Sequence, residues 1–435
     1  MPKRQPIFGQ DPLVLQALWA NVVSWFVRSF FPSFVPKLLQ SLPEEDRGGE
    51  SSSTSGTAPA AADAATQCVV IGRPGGVEQL RTIRLREGLA TAGYNVAAPL
   101  SWTVSTSNLP PNTVVLANHA FAVNFADCCI RWGLYDSAQE YVGWPICPGF
   151  DVAGRVEASN SEQWQVGDHV FGCTLFGGYS NRVVVPAGQL LRIPSSYSFQ
   201  EAASIPTVAL TSLYALQLAG MYPARTTERP VLIHSAAGGV GGMLVQMAKL
   251  LGMKPVVGVV GSSTKVEAAK SLGCDVVIDR SNEDLWVQAR IAAPSGYGAV
   301  FDATGVSTLE QSYEHLALGG RLIVYGFHTN LPVGKDCLSP WEWVQMSFRQ
   351  NRMPKFDPMD MVNQNKAVLG FNLSFFANES EMLMELFAQI LQWFDDGSLV
   401  CPRVTDFPMS EIQHAHNLIQ SGKSIGKIVL TTGRK

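Results

Sequence analysis

VLIHSAAGGVGGMLVQMAKLLG, residues 231–252, sets a short apolar run directly against a glycine-rich turn and an amphipathic helical stretch. A buried strand, a tight turn and a helix in that succession form the context that a phosphate-cradling loop requires. Ala236, Gly238 and Gly241 hold the three marked positions of a GxGxxG pattern, with Ala237, Gly239 and Val240 between them. Small residues there let backbone approach a pyrophosphate, while the following helix turns its positive N-terminal end toward it. Alanine at the first position tolerates an ordinary backbone conformation and does not exclude the loop. The bland alternative, a tight turn that binds nothing, loses weight because strand and helix are both attached.

The rhythm on either side of this stretch divides the chain. Beyond Gln200, apolar runs at Val231–His234, Pro255–Val260, Val276–Asp279, Ala299–Asp302 and Arg321–Tyr325 alternate with helical stretches. That alternation predicts an α/β architecture with a doubly wound parallel sheet. Upstream, shorter strand-like runs at Cys68–Ile71, Val114–Ala117, Val152–Glu157, His169–Gly172 and Arg182–Val185 are separated by turn residues and predict a compact β-rich domain.

About twenty residues past the glycine-rich loop, at the tip of the next strand, an NAD enzyme presents a carboxylate to the ribose hydroxyls. Here the tip reads Gly261, Ser262, Ser263, Thr264, Lys265. Hydroxyls and an ammonium suit a 2′-phosphate that a carboxylate would repel, so the expected cofactor is NADPH. The competing reading is a solvated helix start with one surface lysine.

A length of 435 residues accommodates two folded domains with appendages. With 46% hydrophobic residues and a formal net charge of -4, the chain lacks the basic footprint of nucleic-acid binding. Its eight cysteines form no CxxC pair or short-spaced cluster, which argues against a structural zinc lobe or a disulfide scaffold and for a reducing, cytoplasmic setting.

Pro12–Phe31 is almost uncharged and reads as a helix with Asp11 as N-cap. Asn21, Ser24 and Arg28 share one narrow stripe, which leaves Leu15, Leu18, Trp19, Val22, Phe26 and Phe30 on a wide apolar face. An in-plane membrane anchor, a barely long enough spanning helix and a mitochondrial targeting sequence all fit this pattern, as does a helix folded back onto protein. Residues 44–66 are rich in Ser, Gly, Ala and acids without an aromatic, the composition of a tether. The expected units are therefore an apolar helix in 1–43, a linker in 44–66, a β-rich catalytic domain in 67–199, a cofactor domain in 200–376 and a returning segment in 377–435.

Eight segments carry a resemblance that runs from about residue 67 onward: NFADCCIRWGLY (124–135), PGFDVAG (148–154), VGDHVFG (166–172), IPTVALTSLYAL (205–216), SAAGGVG (235–241), Lys265, GGRLIVYGF (319–327) and GKSIGKIVL (422–430). In this order they resemble the zinc-free quinone oxidoreductase branch of the medium-chain dehydrogenase/reductase superfamily. The resemblance implies a GroES-like catalytic domain beside a Rossmann domain, and a homodimer. Residues 354–376, PKFDPMDMVNQNKAVLGFNLSFF, are similar to the matching stretch of vesicle amine transport protein homologues, which bind NADPH and associate with membranes. Where zinc relatives carry a His-Glu pair, this chain has Phe150 and Asp151, and phenylalanine cannot ligate a metal.

Without a metal, the expected chemistry is hydride transfer from a nicotinamide to a quinone or an α,β-unsaturated carbonyl, completed by a proton. The resemblance assigns Tyr135 as proton donor, with a packing tyrosine as the alternative. It assigns Asn124 to the cofactor's ribose and nicotinamide, with an ordinary turn asparagine as the alternative. Thr211 and Tyr325 fall near the nicotinamide on the same basis, and either could simply pack. Arg280 stands where relatives place an aromatic over the adenine, and an arginine there suits either stacking or a phosphate. A mitochondrial-type enoyl-thioester reductase and a catalytically idle NADPH-binding protein are the competing functions.

Overall fold

The structure, a computed structural model, describes residues 66–85, 89–91, 103–104, 109–223, 228–331, 339–376 and 380–434. The N-terminal helix read in 12–31 and almost all of the 44–66 tether lie outside these residues. Thr66 is a correction: it opens the strand Thr66–Ile71 rather than closing the linker, and it is buried.

Six parallel strands follow the order Val276–Asp279, Val256–Val260, Val231–Ile233, Tyr297–Asp302, Leu316–Val324, Ala367–Gly370. In chain order this is 3-2-1-4-5-6, the doubly wound arrangement in which ligands bind at the switch point beside the first strand. Val231, Leu232 and Ile233 are each 0% exposed, as a central strand covered by helices on both faces requires. Burying each contributes roughly 1.5–3 kcal/mol. The five sequence runs agree with their strands to within one or two residues except at Leu316–Val324, which starts earlier because LALGG pairs across a register shift near Tyr297, and the edge strand Ala367–Gly370 falls outside them.

The β-rich half is built around Thr113–Val123, flanked by Arg182–Pro186 and Asp151–Asn160. The sequence suggests only Val114–Ala117 because Asn118 and His119 interrupt the apolar run. The strand continues because Asn118 is fully satisfied while buried: its Nδ2 donates to the carbonyls of Gly178 and Ser180, and its Oδ1 accepts from Ala153 N. A polar residue with every partner in place costs a core little.

The C-terminal segment ties the halves together. Ile428–Thr431 pairs antiparallel with Ala120–Val123, and Gly426 N donates to Ala237 O at 2.9 Å. The helix Ser380–Asp395 meanwhile sends Phe387 against Phe171 of the β-rich half. Among the described residues, no helix is long and apolar enough to cross a membrane.

Candidate active site

A cleft of about 820 Å³ runs between the two sheets, and its lining collects residues from both. At one end lies the glycine-rich turn. Ser235 leaves the first strand with φ 56°, which turns the chain back so that Gly238 N donates to Ser235 O at 2.9 Å. The helix Gly239–Leu250 then starts from Gly238 with no side-chain cap. The first-turn amides of a helix have no intrahelical acceptor, so Val240 and Gly241 bring donors without an intrahelical partner to the cleft wall, while Gly239 lies beside the Gly238–Gly426 bridge. A Cβ on Gly241 would sit 2.2 Å from Ser235 O, so this glycine is needed for the close packing of turn on helix. Ala237 and Gly238 complete this wall.

Next to the turn, Gly261, Lys265 and Arg280 line the cleft at the tips of the second and third strands. Lys265 Nζ donates to Gly422 O, and burial together with the neighbouring Arg280 lowers its pKa. The nearby acid, Asp279, is tied up by Ser263, Ser281 and Asn282 and is absent from the cleft wall. Ser262 departs from expectation: its hydroxyl meets Thr264 Oγ1 at 2.9 Å on an exposed turn and does not line the cleft.

The floor is a buried polar network. Asn124 caps the helix Phe125–Trp132, and its side chain is held at both ends: Nδ2 donates to Asp151 Oδ2 at 2.7 Å, and Oδ1 accepts from Lys427 Nζ at 2.6 Å. Lys427 also reaches Asp151 Oδ2 at 3.2 Å, while Asp151 Oδ1 accepts from Thr207 N at 2.7 Å. Lys427 is 4% exposed and Asp151 0%, so the pair has little solvent to screen it. Asp127, one turn into the same helix, accepts from the backbones of Asn124 and Gly149. Burial pushes its carboxyl up to about 7, against the pull of Asn124 N–H, Tyr179 and Lys427.

At the opposite end Tyr135 lines the cleft between Phe150, whose ring lies 6.0 Å away edge-on, and Asn372, whose Oδ1 accepts the tyrosine hydroxyl at 2.9 Å. Burial raises the pKa of Tyr135 above its ordinary value, partly offset by Ser374 and Asn372. His328 packs tilted against Phe125 with ring centroids 4.1 Å apart, and burial pushes it down to about 4, so it is a neutral imidazole at pH 7. Thr211, on the helix Pro206–Leu218, and Tyr325, just after its strand, both line the cleft between the two ends.

The structure thus brings every nominated site residue except Ser262 to one cavity. Sequence reasoning missed Lys427, Asp127, Asn372 and His328 as site residues. Lys427 lies inside GKSIGKIVL and Asn372 inside the stretch 354–376, so the signal was present, but nothing local tells which distant side chain each one meets. Both Asp151 oxygens are engaged by Thr207, Asn124 and Lys427. Among the described residues, no group of three or more His, Cys, Asp and Glu is placed to hold a metal ion.

Comparison with known proteins places the fold. A family model described as alcohol dehydrogenase GroES-like domain matches residues 110–195, and one described as zinc-binding dehydrogenase matches 239–389. The human synaptic vesicle membrane protein VAT-1 homolog is 29% identical over 330 residues, 74% of this chain and 80% of that protein. A quinone oxidoreductase of Pseudomonas aeruginosa is 34% identical over 220 residues, covering 50% of this chain and 65% of its own length. The crystal structure of Escherichia coli quinone oxidoreductase complexed with NADPH superimposes with a TM-score of 0.66 at 23% identity, over 84% of this chain and 99% of that one.

Proposed function

Because the chain belongs to the medium-chain dehydrogenase/reductase superfamily, we propose that it is a metal-independent, NADPH-dependent oxidoreductase acting on a quinone or an α,β-unsaturated carbonyl. The observation that carries the reading is the phosphate end of the cleft. First-turn amides of Val240 and Gly241, which have no intrahelical acceptor, stand beside two cations, Lys265 and Arg280, with no carboxylate on that wall to repel a 2′-phosphate. The residues fit a phosphorylated dinucleotide, which when bound supplies a hydride to an electron-poor carbon.

Every other part of the work falls to the chain. The amides and the Ala237–Gly238 backbone hold a pyrophosphate, while Lys265 and Arg280 hold the additional phosphate. Thr211, Tyr325 and Asn124 bound the nicotinamide end, and Lys427 with Asp151 keeps Asn124 in one orientation. Tyr135 is the proton donor to the reduced acceptor; a phenol carries its proton at neutral pH, and Tyr135 lies on the cleft wall. Metal independence is supported by Phe150 and by the ammonium of Lys427, whose charge opposes a cation at Asp151. The membrane surface enters through the apolar face of residues 12–31, and a relative named as a vesicle membrane protein adds support. A homodimer in the cytoplasm completes the reading.

NADPH consumption against a panel of quinones, enones and enoyl thioesters tests the proposal, repeated with NADH. Tyr135→Phe should lower kcat on the order of 10²-fold, the usual contribution of a general acid, while leaving NADPH affinity intact. Tight NADPH binding with no acceptor reduced would leave only the idle-binder reading. Fractionating cells that express the chain with and without residues 1–43 tests the membrane assignment; identical soluble distributions would end it.

A further inference from the structure

Asn372 lines the cleft beside Tyr135, and its carboxamide is gripped at one end only. Oδ1 accepts from the Tyr135 hydroxyl at 2.9 Å, from the Ser374 backbone N–H at 3.1 Å and from the Ser374 hydroxyl at 2.8 Å. A backbone N–H can only donate, so the atom facing it is the oxygen and the amide has a single orientation. The clamp is itself anchored, because Ser374 is buried and its hydroxyl also meets that of buried Ser137 at 2.7 Å. The other end, Nδ2 with two N–H donors, meets no acceptor among the described residues.

A donor left open on the wall of a largely apolar cleft is satisfied by water until a ligand displaces it, after which only a ligand oxygen can replace the lost bond. We infer that Asn372 Nδ2 is the hydrogen-bond donor that receives the carbonyl oxygen of a neutral acceptor, next to Tyr135. The inference rests on the acceptor class proposed above and adds the group that orients it. It also explains why Oδ1 has three donors: when the Tyr135 hydroxyl turns from Asn372 to the ligand, both Ser374 donors still hold the amide.

The test uses duroquinone, a neutral tetramethylated quinone, bound to the full chain in the presence of NADP+, with the bound carbonyl stretch read by isotope-edited infrared spectroscopy. Asn372→Asp keeps an oxygen for all three donors but offers no N–H. It should raise the stretching frequency toward that of a carbonyl without a donor and weaken duroquinone binding about tenfold, the scale of one hydrogen bond. Asn372→Leu should do the same if the aspartate disturbs folding. Tyr135→Phe should leave the Asn372-dependent part of the shift in place. A bound quinone whose frequency and affinity are unchanged in both Asn372 variants overturns the assignment while leaving the acceptor class standing. Failure of the parent protein to bind duroquinone, with NADP+ still bound, overturns both.

Discussion

The two ends of the cleft are built from different materials. At the end with the glycine-rich turn, much of the wall is main chain set by one uninterrupted stretch of sequence from Val231 to Leu250, with Lys265 and Arg280 beside it. On the floor and at the Tyr135 end it is side chains whose partners lie far along the chain: Tyr135 meets Asn372 across 237 positions, and Lys427 meets Asn124 across 303. A backbone site needs only the right conformations, which small residues supply locally. A side-chain site needs the whole fold to deliver buried polar groups to one another, and any unmatched member is costly.

That contrast ranks the ways to test it. The largest effect should come from Lys427→Met, which strands Asp151 as a buried carboxylate without its cation. Urea unfolding should show a loss of about 3–5 kcal/mol, largely recovered when Asp151→Leu is added. An unchanged midpoint would mean the buried pair contributes nothing to holding the site.

At the other end the damage should be to binding. Gly241→Val drives a side chain into Ser235 O, 2.2 Å from the position of a Cβ, and the turn must open. The expected cost is about 2 kcal/mol on the scale of overpacking, or roughly 30-fold in NADPH affinity by nucleotide fluorescence. Retained affinity would show that the turn does not hold the nucleotide.

Lys265→Ala is a finer cut through the same end. It should weaken NADPH about tenfold, the scale of one charge-assisted hydrogen bond, and leave NADH unaffected. An equal loss for both nucleotides would remove the role given to the lysine.

The remaining effect is a slope rather than a single loss. Asp127 is raised to about 7 from an ordinary 3.8, so between these values the folded protein holds a proton that the unfolded chain has released. Stability supplied by this proton is complete below the unfolded value and is lost as pH rises through the folded one. Asp127→Asn should flatten that part of the stability profile, measured by unfolding midpoints from about pH 4 to 7. A slope equally steep in the variant would assign it to other groups.

The same division explains what could be read in advance. The parallel sheet, four of its six strands to within a residue or two and the turn at Ala236–Gly241 were legible because each depends on local pattern; the start of Leu316–Val324 and the edge strand Ala367–Gly370 were not. The length of Thr113–Val123 was not, since Asn118 looks like a strand breaker until its three distant partners are known. Ser262 looked equivalent to Lys265 by position and type. Only the reach of the longer side chain separates them, because the shorter one closes on Thr264.

The pairing of Lys427–Thr431 with the central β-rich strand has a consequence for biosynthesis. Ala120–Val123 leaves the ribosome some three hundred residues before its partner, and until then that edge is open to solvent and to other chains. The same late strand delivers Lys427 to Asn124 and Gly426 to Ala237, so the floor of the cleft is incomplete in the nascent β-rich half, however well folded. Competence and protection of the edge arrive together, in one translational event.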